Sequence, residues 1–247
     1  MIAYETLAVS YDRLTNDVPY PRIARFAQNL LSERGIEPRS VLDLACGTGA
    51  MSVLLAQAGY QVIGVDMSEE MLTMASEKAM ALSDNRPFFV RQKMQRLRLP
   101  HSVDWVFSGL DSINYLTDPK DCLETFHRVY SVLSSGGAFL FDINTPQKLR
   151  AMDGQIFLDE DDDVFCLWRS EFDEKTRICT YGMDIFQRRG NLWARNQEEH
   201  LEYAYEPSQL VDYLRETGFC HIEQFGDLRQ ESPAEGEQRI YFLAIKE

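Results

Sequence analysis

The stretch Val41-Leu42-Asp43-Leu44-Ala45-Cys46-Gly47-Thr48-Gly49 decides the fold. An apolar run of strand length meets a turn with two glycines and passes at once into a helical pattern, Ala50 to Ala58, which Gly59 stops. Glycine reaches the positive φ angles of such a turn and lets a ligand come close to the backbone. Val62-Ile63-Gly64-Val65 then forms a second strand, ending at Asp66, seventeen residues beyond Gly49. Ser68 can cap the helix that follows, and Glu69 and Glu70 suit the positive end of its dipole.

Outward from this unit the alternation continues. Phe88-Phe89-Val90, Val103 to Phe107, Ala138 to Ile143, His221 to Phe225 and Ile240 to Ile245 are the remaining short apolar strands. Asp118-Pro119 opens a helix with the apolar stripe Leu123, Phe126, Tyr130 and Leu133, ended by Gly136-Gly137, and Pro207 opens another that runs to Gly218. Strands alternating with helices predict a Rossmann-like, doubly wound α/β fold with a mostly parallel seven-stranded sheet covered on both faces. Residues 1–38 read as an N-terminal helical cap, with Ile23, Phe26, Ala27 and Leu30 at helical spacing before Gly35 and Pro38 break it. After Pro146 the rhythm changes. The β-rich runs around Phe165-Cys166-Leu167-Trp168, Ile178 to Phe186 and Leu201 to Tyr205 have no convincing helix between them. The expected organisation is therefore a core of residues 39–147 and 206–247 carrying an inserted antiparallel β lobe at 148–205.

At 247 residues the chain can bury a normal core without staples. Its net charge of −14 opposes a partner held by phosphates, because that affinity comes from Lys and Arg displacing counterions. Arg86, Arg91, Lys93, Arg96 and Arg98 form the one basic run, read as a solvated loop. Nucleic acid and anionic membranes are thus disfavoured as partners. The five cysteines are odd in number and show no Cys-x-x-Cys spacing, which suggests neither a disulfide framework nor a zinc site and points to a reducing cytoplasm. Glu5 and Asp12 stand where a signal peptide would need an apolar stretch, and no run reaches the length of a membrane helix.

The loop lies where open α/β sheets bind ligands, and a carboxylate at Asp66 can accept hydrogen bonds from both hydroxyls of an adenosine ribose. Met67 could pack on the adenine face. A dinucleotide site wants a third glycine where this chain has Ser52, and Asp43 before the turn suits a ligand with a positively charged amino group better than a pyrophosphate. Both points weigh against NAD.

The run VLDLACGTG, with Asp66 ending the next strand, resembles the core signature of class I S-adenosylmethionine-dependent methyltransferases. The likeness extends through Lys93-Met94, Asp111-Ser112-Ile113-Asn114-Tyr115 and Gly136-Gly137-Ala138-Phe139-Leu140-Phe141-Asp142. Tyr4, Tyr11-Asp12 and Pro19-Tyr20 are similar to a subgroup of small bacterial methyltransferases whose substrates are mostly unassigned. By that resemblance the cofactor is S-adenosylmethionine. Ala45, Gly47 and Gly49 would line its methionine part, Asp66 would hold the ribose and Met67 the adenine. Lys93 and Met94 would flank the adenine edge, Leu110 would meet the amino end, and Tyr11 would reach the carboxylate. Two positions depart from the family pattern. Ala45 stands where glycine is usual, and Lys93 where an aspartate commonly receives the adenine amino group, a bond that lysine cannot accept.

Methyl transfer from a sulfonium is an in-line displacement from an already activated donor, so alignment in a shielded site is the main requirement and no metal is implied. The catalytic residues stay unassigned. His127 and His200 are conceivable bases, His127 lying far from the strand ends. Asp111 and Asn114 either face a ligand or order their loop. Tyr181, Trp193, Tyr203 and Tyr205 either line an acceptor pocket or form the lobe's own core or a homodimer contact, the second being preferred. The leading expectation is a cytoplasmic enzyme that methylates a small-molecule acceptor. RNA or protein methylation and a non-catalytic S-adenosylmethionine-binding module are the alternatives, because one fold serves all of them.

Overall fold

The computed structural model describes Tyr11, Asp12 and residues 17–247; Tyr4 and the rest of the N-terminal segment lie outside the described residues. Helix α1 (Tyr20–Glu33) turns Ile23, Phe26, Ala27 and Leu30 inward. The expected alternation follows as β1 (Ser40–Leu44), α2 (Ala50–Gln57), β2 (Gln61–Asp66), α3 (Glu69–Ala79), β3 (Phe88–Arg91), β4 (Val103–Ser108), α4 (Pro119–Val132) and β5 (Leu133–Asn144). Ser68 does cap α3, its hydroxyl accepting from the Met71 amide at 3.1 Å. Asp118 caps α4 by accepting from the Lys120 amide, with Pro119 in the first turn.

The chain then forms α5 (Pro146–Ala151), β6 (Ile156–Glu160), β7 (Val164–Asp173), β8 (Ile178–Arg189), β9 (Leu192–Tyr203), α6 (Pro207–Thr217), β10 (Cys220–Phe225) and β11 (Arg239–Ile245). The seven-stranded sheet has the order β10-β11-β5-β4-β1-β2-β3. Strands β1 to β5 are mutually parallel, and β11 runs antiparallel to both β5 and β10. The chain winds outward from β1 to β3 and then returns to place β4 on the other side of β1. Such a reversal opens a crevice beyond the carboxyl ends of β1 and β4.

Alternate residues of each strand enter different cores. Leu42, Leu44, Val106, Phe139, Phe141 and Phe242 pack beneath α4 and α6. Val41, Trp105, Phe107, Leu140, Tyr241 and Leu243 pack beneath α1 and α2. The first core is aromatic at its centre: Phe126 of α4 lies 5.6 Å from Phe139 and 5.3 Å from Phe141, centroid to centroid.

Three readings of the sequence need correction. The inward face of α4 is Cys122, Thr125, Phe126, Val129 and Val132, rotated from the expected Leu123, Phe126, Tyr130 and Leu133. Leu133 already belongs to β5, and Tyr130 is turned aside to cover Phe219 and the Lys246 ammonium. Gly136-Gly137 do not end that helix; they sit inside β5, where the register with β4 shifts. A Cβ on Gly137 would lie 2.8 Å from the Ser134 carbonyl, so the close approach there requires glycine. Finally, α5 and β6 were not foreseen. α5 has only six residues, and β6 is an exposed edge strand bonded to β7 alone, with no buried face to impose alternation.

The second sheet, β6-β7-β8-β9, is wholly antiparallel. Side chains of the β4–α4 connection join it to the first. Asn114 donates to the carbonyls of Asn144 and Tyr203, and accepts from the Asn144 amide. The Asn144 amide group donates to Glu202 at 2.9 Å, and the Tyr205 hydroxyl donates to the Leu116 carbonyl. Among the described residues, no helix is long and apolar enough to cross a membrane. Phe126→Ala should cost about 3–5 kcal/mol of unfolding free energy, because the stacked Phe139 and Phe141 cannot collapse into the space; denaturant titration would read it.

Candidate active site

The loop after β1 is built from residues in left-handed backbone. Ala45, Gly47 and Gly49 have φ of 61°, 53° and 74°. Gly49 begins α2 and packs on α3 so closely that a Cβ would lie 2.8 Å from that of Ala75. Asp66 holds the loop from the neighbouring strand: one carboxylate oxygen accepts from the Gly47 amide and the other from the Ser68 amide, each at 2.9 Å. Burial raises Asp66 above the ordinary carboxylate range, opposed by these amides. It therefore orders the loop and the entry to α3 together, with Ser68 capping one residue layer further on.

Asp43 sits at the base, 2% exposed, accepting from the Ser52 hydroxyl at 2.5 Å. Burial pushes its pKa up to about 7, the negative charge of Asp66 adds to this, and the Ser52 bond opposes it. Across the loop, Asp12 accepts from the Thr48 hydroxyl at 2.6 Å and pairs with Lys78 at 2.8 Å, which holds Asp12 beside the glycine turn. Burial likewise raises the Tyr11 phenol, with Tyr20 and Asp111 contributing.

The opposite wall is the β4–α4 connection. Leu110 and Asp111 both have φ of 56°, a left-handed conformation that side chains resist. Asp142 of β5 holds them there, accepting from the Leu110 amide at 2.8 Å and the Asp111 amide at 3.0 Å. Arg239 of β11 then bridges Asp142 and Asp111. Backbone strain is thus offset by a buried charged network.

These walls enclose a cavity of about 300 Å³ at the carboxyl ends of β1, β2 and β4. Of the residues singled out from the sequence, it brings together Tyr11, Ala45, Gly47, Asp66, Met67, Lys93, Met94 and Leu110. Gly49 stands apart from the lining, its place being the start of α2. The sequence reading missed Gln92 and Gln95, which flank Lys93-Met94, and Thr48, inside the glycine turn. Tyr115 also lines the cavity; only its place in the motif Asp111 to Tyr115 hinted at it. His127 is exposed on α4, whereas His200 is buried. Tyr181, Trp193, Tyr203 and Tyr205 do not reach this cavity: Tyr181 and Tyr205 are buried in packed clusters, and Trp193 is half exposed on β9.

A doubly wound sheet with a nucleoside-sized crevice at its reversal point, walled by an acidic strand end, defines an S-adenosylmethionine-dependent methyltransferase. A family model for the methyltransferase domain matches residues 41–137. The chain belongs to the methyltransferase family. A protein of Geobacillus sp. (strain WCH70) carried under a provisional methyltransferase name is 34% identical over 99% of this chain and 100% of its own length. The similarly named YqeM protein of Bacillus subtilis (strain 168) is 31% identical, covering 98% of this chain and 97% of that protein. Among solved structures, an S-adenosylmethionine-dependent methyltransferase from Clostridium acetobutylicum superposes with a TM-score of 0.88 at 29% identity, over 99% of both chains.

Two outcomes follow from this geometry. Asp43 holds its proton in the folded state across the window from 3.8 to about 7, where the unfolded chain has lost it, so its contribution to stability falls as pH rises through that window and levels off above it. Thermal melts between pH 4 and 8 should show this slope in the wild type and its loss in Asp43→Asn. Ala45→Gly relieves a left-handed alanine and should raise stability by about 0.5–1 kcal/mol in denaturant titration.

Proposed function

We propose that this methyltransferase acts on a small-molecule acceptor that enters the same cavity as the cofactor. The bound cofactor supplies a methyl group on a sulfonium, and its leaving thioether is neutral. The protein's task is then to bind, align and exclude water. In this reading Asp66 accepts from the ribose hydroxyls, Met67 covers the adenine face, and Lys93 and Met94 border its edge. Ala45 and Gly47 present backbone to the methionine part, Leu110 meets the amino end, Tyr11 reaches the carboxylate, and Gly49 keeps the loop in shape. Asp43 faces the amino group as a carboxylate that a cation would draw out of its protonated form. The reading also takes residues 1–38 as a cap and 148–205 as a lobe on the core of 39–147 and 206–247.

The observation that carries it is the fit of the cavity. Carboxylates (Asp43, Asp66 and Asp121) and methionines (Met51, Met67, Met71 and Met94) line it together, which suits a ribose and an amino group beside an apolar ring. The preference for a small acceptor comes from charge: Lys93 is the one cation among the described residues lining the cavity, and the chain carries −14 overall. An RNA acceptor would need a Lys/Arg track along its approach.

Calorimetry should show micromolar binding of S-adenosylmethionine and none of NADH. Each hydrogen bond to a charged group is worth about 1.5–3 kcal/mol, so Asp66→Ala should weaken binding roughly a hundredfold or more. A wild-type protein that binds no S-adenosylmethionine would overturn the site assignment. Methyl-labelled cofactor incubated with cell extract should place label in the small-molecule fraction; label lost to nuclease or protease digestion would identify the other acceptor classes.

A further inference from the structure

One polar chain leaves the cavity toward the second sheet. Tyr115, the last residue of the turn Ser112–Tyr115, lines the cavity, and its hydroxyl lies 3.3 Å from Nδ1 of His200. The two rings meet edge to face, 5.9 Å between centroids. On the far side of the imidazole, Nε2 lies 3.1 Å from Oε2 of Glu198. His200 and Glu198 are 2% and 4% exposed, and stand two residues apart on β9, hence on one face of that strand.

Chemistry dictates the direction of this chain. A carboxylate only accepts, so Glu198 takes the Nε2–H of His200; in that tautomer the Nδ1 lone pair is turned to the Tyr115 hydroxyl. A phenol at a ligand site, backed by an imidazole whose tautomer is set by a buried acid, is an arrangement that moves protons. Docking of the two sheets does not call for it, because Asn114, Asn144 and Tyr205 already join them. Burying an acid and an imidazole is also more costly than burying an apolar pair.

We propose that Tyr115 is the catalytic proton acceptor for the methyl acceptor, with His200 and Glu198 as positioning residues behind it. This rests on the reading that the acceptor shares the cavity. The acceptor class is an amine or hydroxyl that still carries a proton when it reacts. Its lone pair forms the bond to the methyl carbon as the carbon–sulfur bond breaks, with that electron pair staying on sulfur. The displaced proton goes to the Tyr115 oxygen while the phenolic proton passes to Nδ1 of His200, and the imidazolium so formed is held by Glu198. Turnover is completed by return of the proton to solvent.

The test uses sinefungin, the cofactor analogue in which an amine-bearing carbon replaces the methylated sulfur, with S-adenosylhomocysteine as the reference ligand lacking any group at that position. The sinefungin amine donates where an acceptor would. A hydrogen bond to a charged group makes Tyr115→Phe weaken sinefungin by about tenfold or more while S-adenosylhomocysteine changes less than about twofold. Nitrogen-15 spectra of the wild-type imidazoles, which need no variant to fold, should show His200 protonated at Nε2 and shifted by sinefungin but not by S-adenosylhomocysteine. Equal losses for both ligands, no loss for either, or a His200 protonated at Nδ1 would overturn the relay and leave the cofactor site standing. A wild type that binds S-adenosylhomocysteine not at all would overturn the relay together with the site reading beneath it.

Discussion

The bond on which this structure depends is the double acceptance by Asp66, whose two oxygens hold the Gly47 and Ser68 amides. It couples the loop after β1 to the start of α3, so the left-handed Gly47 and a helix entry are ordered by one carboxylate. The cost is desolvation of a negative charge, visible in its raised pKa and in that of Asp43 behind it. Two carboxylates in one low-dielectric wall repel each other, and a cationic ligand relieves that repulsion. Their placement thus links folding cost to recognition.

The opposite wall repeats the device with different parts. Asp142 holds two strained residues, Leu110 and Asp111, through their amides, and Arg239 neutralises the pair of acids. Both walls of the crevice therefore contain left-handed backbone clamped by acids from neighbouring strands. The second sheet adds its own buried groups at the rim, among them Glu202, which burial pushes up to about 8 with Asp111 contributing and the Asn144 bond opposing.

Most of the sheet was legible because each strand is a short run whose neighbours in sequence impose the burial. Val41 to Leu44, Val62 to Val65 and Ala138 to Ile143 are apolar on both faces but for Asp43 and Asp142, the mark of a strand covered twice. The errors have separate origins. Where α4 meets β5, Lys246 donates to the carbonyls of Tyr130 and Leu133 and lies over the Tyr130 ring, contacts made by the far end of the chain that no local pattern announces. The edge strand β6 has neither buried side chains nor two partners, so nothing local distinguishes it from a loop.

Sequence alone determined the glycine loop, since the strand, the glycines and Asp66 lie within one βαβ unit and their spacing carries its own geometry. Through the family resemblance it also pointed to eight of the cavity-lining residues. Only the tertiary structure decided how the far wall of the cavity is assembled. Asp142 reaches Leu110 across 32 residues, and Tyr115 meets His200 across 85. Pairings of that range leave no period and no composition in the chain, because they arise from two sheets closing on each other and not from any local preference for helix, strand or turn.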